Sequence, residues 1–168
     1  SCHQKRMLAY GDWLEETVLR PVPHRQYVFT LPKCLRPHFH LRYRLGELCR
    51  IVGRLLNAAY GEVIPQGQAA FLLFVQTFGD LVTFHPHIHV LAADGVFTQR
   101  GGFRVLPAIP TELLTAQLRQ AVLDYLVQDE AITLEFAERL RQWRHSGFSV
   151  DNSVRIKGDD AEGRKQLA

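Results

Sequence analysis

The stretch TFHPHIHVLAADG, residues 83–95, places three of the chain's eight histidines at alternate positions, His85, His87 and His89. Imidazole is a poor core filler, because both ring nitrogens need partners. The residues that follow, Ile88, Val90 and Leu91, are those of a strand, and Asp94-Gly95 reads as the turn that ends it. Side chains alternate along a strand, so His87 and His89 leave one face together while Ile88 and Val90 leave the other for a core. Two imidazoles then converge on one surface. Pro86 interrupts the alternation and leaves the direction of His85 unset.

A second pair at the same spacing, His38 and His40 in RPHFHLRYR, provides a contrast. Pro37 suits a helix's first turn, and Leu41, Leu45, Leu48, Val52, Leu55, Leu56 and Ala59 follow at helical spacing until Gly61. Two residues along a helix is about 200° of rotation, so these two rings point apart. Only the strand pair is a candidate metal site.

A divalent ion on two neutral imidazoles needs a further ligand and open positions for water or substrate. AAFLLFVQTFG, residues 69–79, reads as a buried strand, and GDLVTFHP turns it back against the histidine strand as an antiparallel pair. On it Leu72, Phe74, Gln76 and Phe78 share a parity, and Gln76 alone among them carries a ligating oxygen. Asp80, of the same parity but in the turn, is the alternative, and a carboxylate binds a hard ion more strongly.

Elsewhere, residues 2–19 have helical apolar spacing and stop at the prolines of RPVP. RQYVFTLP is a short strand with Tyr27, Phe29 and Leu31 on one face. Gly101-Gly102 marks a hairpin tip, Thr111 is read as the cap of a helix over TELLTAQLRQAVLDYLVQ, and a further helix spans 131–144. GFSVDNSVRIK alternates as a one-sided strand, and DDAEGRKQLA begins a last helix. The fold class expected is α+β, a mostly antiparallel sheet with flanking helices.

Composition bounds the function. The chain has 168 residues, 46% hydrophobic and 22% charged, which is ordinary for one soluble domain. The apolar run AAFLLFV is too short to span a bilayer, so no membrane partner and a cytoplasmic location are expected. Cys2, Cys34 and Cys49 contain no CxxC pair and support neither a disulfide framework nor a complete zinc site; Cys34 and Cys49 are expected to be buried thiols. Net charge is +3, but residues 1–55 hold ten Lys/Arg against four Asp/Glu. Arginine suits bidentate phosphate contact. Arg42, Arg50 and Arg54 fall within about 120° of one another on the long helix, a solvated basic strip that is a candidate DNA-binding surface. His85 is read as either a support to the two metal-site histidines or a substrate contact.

FVQTFGDLVTFHPHIHVLAADGVF resembles the signature of the His-hydrophobe-His (HUH) single-strand endonucleases, specifically the two-tyrosine rolling-circle transposases of bacterial insertion sequences. The likeness extends to PHRQYVFTLPKCLRPHF upstream and WRHSGFSVDNSVRI downstream. It implies an HUH-type fold, with Mg²⁺ or Mn²⁺ held by His87 and His89 and a third ligand at Gln76. It implies single-stranded DNA at element ends as substrate, cleaved and transferred through a 5′-phosphotyrosine intermediate in DNA transposition. SCHQKR is similar to the end of the family's N-terminal zinc module. Residues 1–20 are therefore expected to be a remnant of that module plus a helix, the Zn²⁺ belonging to its missing part. Residues 21–168 are the expected catalytic domain, truncated before the nucleophile. The family's tyrosines lie on a helix matching the one that DDAEGRKQLA begins, which puts the nucleophile past Ala168. Tyr125 lies in a helical apolar pattern and is read as a packing residue, as are Tyr10, Tyr27, Tyr43 and Tyr60.

Two rivals predict different things. A cupin-like metal oxygenase also uses an HxH strand, but wants a Glu three or four residues after the second histidine, where this chain has Ala92 and Ala93. A nucleic-acid-binding module without catalysis needs neither metal nor tyrosine.

Overall fold

The computed structural model describes residues 9–79 and 83–167. The chain is helical from residue 9 and closes in a π-helical turn over Leu14–Val18 (α1, residues 9–18), ahead of Pro21 and Pro23. Then come β1 (His24–Thr30), a 3₁₀ turn (Arg36–His40), α2 (Arg42–Val63), β2 (Phe71–Phe78) and β3 (Phe84–Ala93). A small hairpin of β4 (Gly95–Phe97) and β5 (Phe103–Val105) precedes α3 (Thr111–Gln128) and α4 (Leu134–Gln142). β6 (Ser149–Asp151), β7 (Arg155–Ile156) and α5 (Ala161–Leu167) complete the α+β fold.

One antiparallel sheet in the order β2-β3-β1-β6, with β7 also on β1, organises the molecule. Its inner face presents Tyr27, Phe29, Ile88 and Val90, all 0–1% exposed, to Leu48, Ile51, Val52 and Leu56 of α2 and Leu114, Leu118 and Val122 of α3. Alternation accounts for this. Tyr27 and Phe29 on β1 and Ile88 and Val90 on β3 stand at alternate positions, and the two helices supply the apolar stripes that cover them.

Several expectations are corrected by packing. The long helix begins at Arg42 rather than at 37, because Leu41 is extended (φ −78°, ψ 124°) and splits the 3₁₀ turn, with Pro37 inside it, from α2. α2 runs past Gly61 to Val63, just before Pro65. β2 is only half-buried, since it lies at the sheet edge with one neighbour. Thr111 is the first helical residue and Pro110 the cap position of α3, with no side-chain cap. α4 is shorter than 131–144, starting after Thr133, whose hydroxyl accepts from Phe136 N at 3.2 Å. The last strand breaks into β6 and β7, because Asp151 accepts from the Ser153 amide and hydroxyl in a local turn. Cys34 is exposed and Cys49 half-buried. Tyr10 and Tyr43 are exposed rather than packed, and the Tyr43 hydroxyl donates to Asp129 at 3.0 Å.

Asp94 does more than end the histidine strand: β3 stops at Ala93, and a bend at Asp94 leads into β4 of the separate small hairpin. Its carboxylate is 2% exposed and accepts from Arg25 and Arg155. Arg25 also donates to the Asn152 carbonyl at 3.0 Å, so one buried charge cluster ties β1, the end of β3 and the β6–β7 segment together.

Candidate functional site

The outer sheet face carries the chemistry. Its strand register sets Gln76 directly opposite His87 and Phe74 opposite His89 across the β2–β3 pair. On the other side of β3, Thr30 pairs with His87 and Val28 with His89, and β6 adds Ser149 opposite Thr30 and Asp151 opposite Val28. Directly paired residues project from the same face. Gln76, His87, Thr30 and Ser149 therefore form one polar row across four strands, and Phe74, His89, Val28 and Asp151 form the next.

Only half of this face is covered. Val18, Leu19 and Arg20 close over His24, Leu72 and Leu91 around a cavity, and His24 and Leu91 are buried there. His87 and His89 remain half-exposed and Gln76 exposed. The register slips between Gln76 and Phe78: β3 spends three residues, from His87 to Phe84, where β2 spends two. Pro86 sits in this bulge, where its missing N–H is tolerated.

The two rings lie 4.9 Å apart between centroids, inclined by 60°. His87 Nδ1 is 2.6 Å from the carbonyl oxygen of His85. A carbonyl can only accept, so Nδ1 holds a proton, and in the neutral tautomer the lone pair is on Nε2. His89 Nδ1 faces the side-chain amide of Gln26 at 3.2 Å. Burial first, and then the neighbouring His87, hold His89 below the usual imidazole range, which keeps it neutral at pH 7.

The residue types present could hold a divalent ion with open positions: two neighbouring imidazoles on one strand and a side-chain amide paired with the first of them on the partner strand. Among the described residues no group of three His, Cys, Asp or Glu side chains is gathered to hold a metal, and Gln76 is the oxygen-bearing side chain paired directly with His87. Asp80 lies outside the described residues, as does Cys2. The His85 ring is 5.1 Å from that of His87. His40 stacks on Phe84 at 3.9 Å, while His38 uses its carbonyl to accept from Arg44; the two rings do not form a site together.

The basic strip is exposed but not unpaired: Arg50 and Arg54 both bridge to Glu47 at 2.8 Å. α2 packs on the inner face of the sheet, so these two arginines and the histidines are on opposite sides of it. Tyr125 is on α3, also behind the sheet; it is half-buried against the core, with its hydroxyl enclosed and burial raising its pKa.

Sequence reasoning missed Gln26, Thr30 and Ser149. The signal for the first two was present, since Gln26, Val28 and Thr30 alternate with the apolar face of β1, but which strand they flank is a matter of sheet order.

The open face of the antiparallel sheet thus carries a strand-borne histidine pair, with Gln76 opposite the first of the two. Residues 70–167 match the family Y2_Tnp, described as "Putative transposase", and the chain belongs to this transposase family. It is also 30% identical over 131 residues to the "Transposase for insertion sequence element IS801" of Pseudomonas savastanoi pv. phaseolicola. That alignment covers 76% of this chain, and the chain spans 30% of the length of that relative. No solved structure matches the chain. Among the described residues, no helix is long and apolar enough to cross a membrane.

Proposed function

We propose that this chain forms the metal-binding part of a transposase that cleaves and rejoins single-stranded DNA at the ends of an insertion sequence, as in rolling-circle transposition. The observation that carries the reading is the direct pairing of Gln76 with His87 beside His89 on an open sheet face. His87 and His89 are the imidazole ligands of Mg²⁺ or Mn²⁺ and Gln76 the oxygen ligand. When bound, the ion polarises the scissile phosphate and neutralises its charge. Thr30 and Ser149 extend the polar row along which a phosphodiester backbone can lie, and His85 stands next to it as a DNA contact.

The chemistry is phosphoryl transfer to a tyrosine. The hydroxyl oxygen attacks the phosphorus, the bond to the 3′ oxygen breaks, and a 5′-phosphotyrosine and a free 3′-OH result. Covalent storage keeps the bond energy for rejoining without ATP. Tyr27 and Tyr60 are buried in the core, Tyr125 is behind the sheet, and Tyr43 is tied to Asp129. None of these four is offered as the nucleophile; the resemblance to the two-tyrosine transposases puts that residue past Ala168. Arg42, Arg50 and Arg54 are assigned to phosphates of a strand that passes round the sheet end at His40 and Phe84.

The test is a Mn²⁺ titration of residues 1–168 together with single-stranded DNA trapping on a longer chain. Wild type should bind one Mn²⁺, and His87→Ala with His89→Ala should lose it while keeping the fold. The longer chain should form a covalent DNA adduct that the double variant does not. A covalent adduct on residues 1–168 alone, mapped to Tyr10 or Tyr43, would overturn the assignment of the nucleophile.

A further inference from the structure

We propose that Gln26 is a positioning residue for His89: its side-chain amide determines which ring nitrogen of His89 is left bare toward the open face. The inference rests on the metal-site reading above. Gln26 stands on β1, two residues from Val28, the direct partner of His89, so it is a diagonal neighbour on the same face. Its amide nitrogen is 3.2 Å from His89 Nδ1, and both side chains are half-buried.

A carboxamide has two ends of opposite chemistry in nearly the same outline: the oxygen accepts and the nitrogen donates. Half a turn about the last bond exchanges them with little movement of the heavy atoms. With the nitrogen on Nδ1, the ring accepts there and its proton resides on Nε2, which then points a donor at the site. With the oxygen on Nδ1, that nitrogen holds the proton and Nε2 offers a lone pair. Only the second arrangement makes His89 a ligand. His87 has no such choice, because its partner is the His85 carbonyl. The two histidines are thus set differently, one by backbone and the other by an amide that can rotate. Metal binding selects the rotated amide.

Two substitutions of Gln26, the second also made in a His89→Ala background, separate the possibilities. Glutamate accepts only, so Gln26→Glu locks the proton on Nδ1; leucine does neither, so Gln26→Leu removes the control. The His89 tautomer is read by long-range ¹H–¹⁵N correlation on ¹⁵N-histidine-labelled protein, with and without Mg²⁺, and Mn²⁺ affinity by titration. In wild type, Mg²⁺ should shift His89 toward the Nδ1–H form, and Gln26→Glu should show that form without metal. Gln26→Leu should weaken Mn²⁺ binding by about 10- to 100-fold, the range for loss of a group that orients a metal-bound histidine. In a His89→Ala background the same change should cost no further affinity.

An unchanged tautomer in all three proteins, or an equal loss of affinity with and without His89, overturns the inference in favour of a packing role. The tautomer is read on the metal-free protein, so this result is independent of whether wild type binds Mn²⁺. Failure of wild type to bind would overturn the metal reading instead.

Discussion

Arg25 grips Asp94 side-on: Nε donates to Oδ1 at 2.8 Å and Nη2 to Oδ2 at 3.2 Å, with the carboxylate 2% exposed. Arg155 donates to the same carboxylate from β7. The Asp94 charge is stabilised only because two guanidiniums surround it. Arg25→Ala leaves it underpaired in a buried place, which should cost about 3–5 kcal/mol. Urea denaturation of the variant should show the loss, and Asp94→Asn should be damaging as well. A change under about 1 kcal/mol in both would show that solvent reaches the cluster.

Gln76 is exposed and opposite His87, with no part in the core. Gln76→Ala should therefore lower Mn²⁺ affinity while leaving the melting temperature within about a degree. His87→Ala should lower it further, since an imidazole is the stronger ligand. Equal affinity of Gln76→Ala and wild type would remove the glutamine from the ligand set.

Phe78 is two residues beyond Gln76 on β2 and 59% exposed, an aromatic face at the rim of the proposed DNA surface. Base stacking on such a ring contributes about 1–3 kcal/mol per base. Phe78→Ala should weaken single-stranded DNA binding by that amount at fixed salt, with Mn²⁺ affinity unchanged. Unaltered DNA binding would place the strand elsewhere.

Ile88 lies between the two histidines but points the other way, fully buried against the helices. Ile88→Ala should cost about 2–5 kcal/mol by creating a cavity. The variant that remains folded should still bind Mn²⁺. Stability and metal affinity, measured on the same samples, will show whether the two sheet faces are separable.

Glu15 of α1 accepts from Arg164 of α5, with Arg164 Nε at 2.7 Å, and this bond above all holds its carboxyl below the usual range. The folded value being the lower one, the unfolded chain takes the proton first as pH falls. The contribution is complete above the unfolded value, about 4.3, and is lost as pH drops through the folded value. Acid melting of wild type and Glu15→Gln should converge below that range. A constant difference between them down to pH 2 would show that the contact does not act through its charge.

Alternation is a local property, and much of this molecule was legible from it. Tyr27, Phe29 and Leu31, and Ile88 and Val90, were placed on buried strand faces from the sequence, and His87 and His89 on the face opposite, because a strand side chain can only go one of two ways. The long helix, the Gly101 turn and the α+β class were readable for the same reason. Parity on β2 left Gln76 and Asp80 as alternatives, and the family resemblance favoured Gln76. What parity could not supply was register and strand order, which arise from packing between segments distant in the chain. That Gln76 faces His87 and not His89 is decided by the β2–β3 register. That Gln26 reaches His89 is decided by β1 lying on the other side of β3, and that Ser149 ends the polar row by β6 lying beyond β1. Asp94 shows the same limit. Asp-Gly ends the strand as its local chemistry suggests, but that two arginines, one of them 61 residues away in sequence, hold this carboxylate inside the protein was not legible, because a buried charge belongs wherever the fold assembles enough opposite charge to hold it.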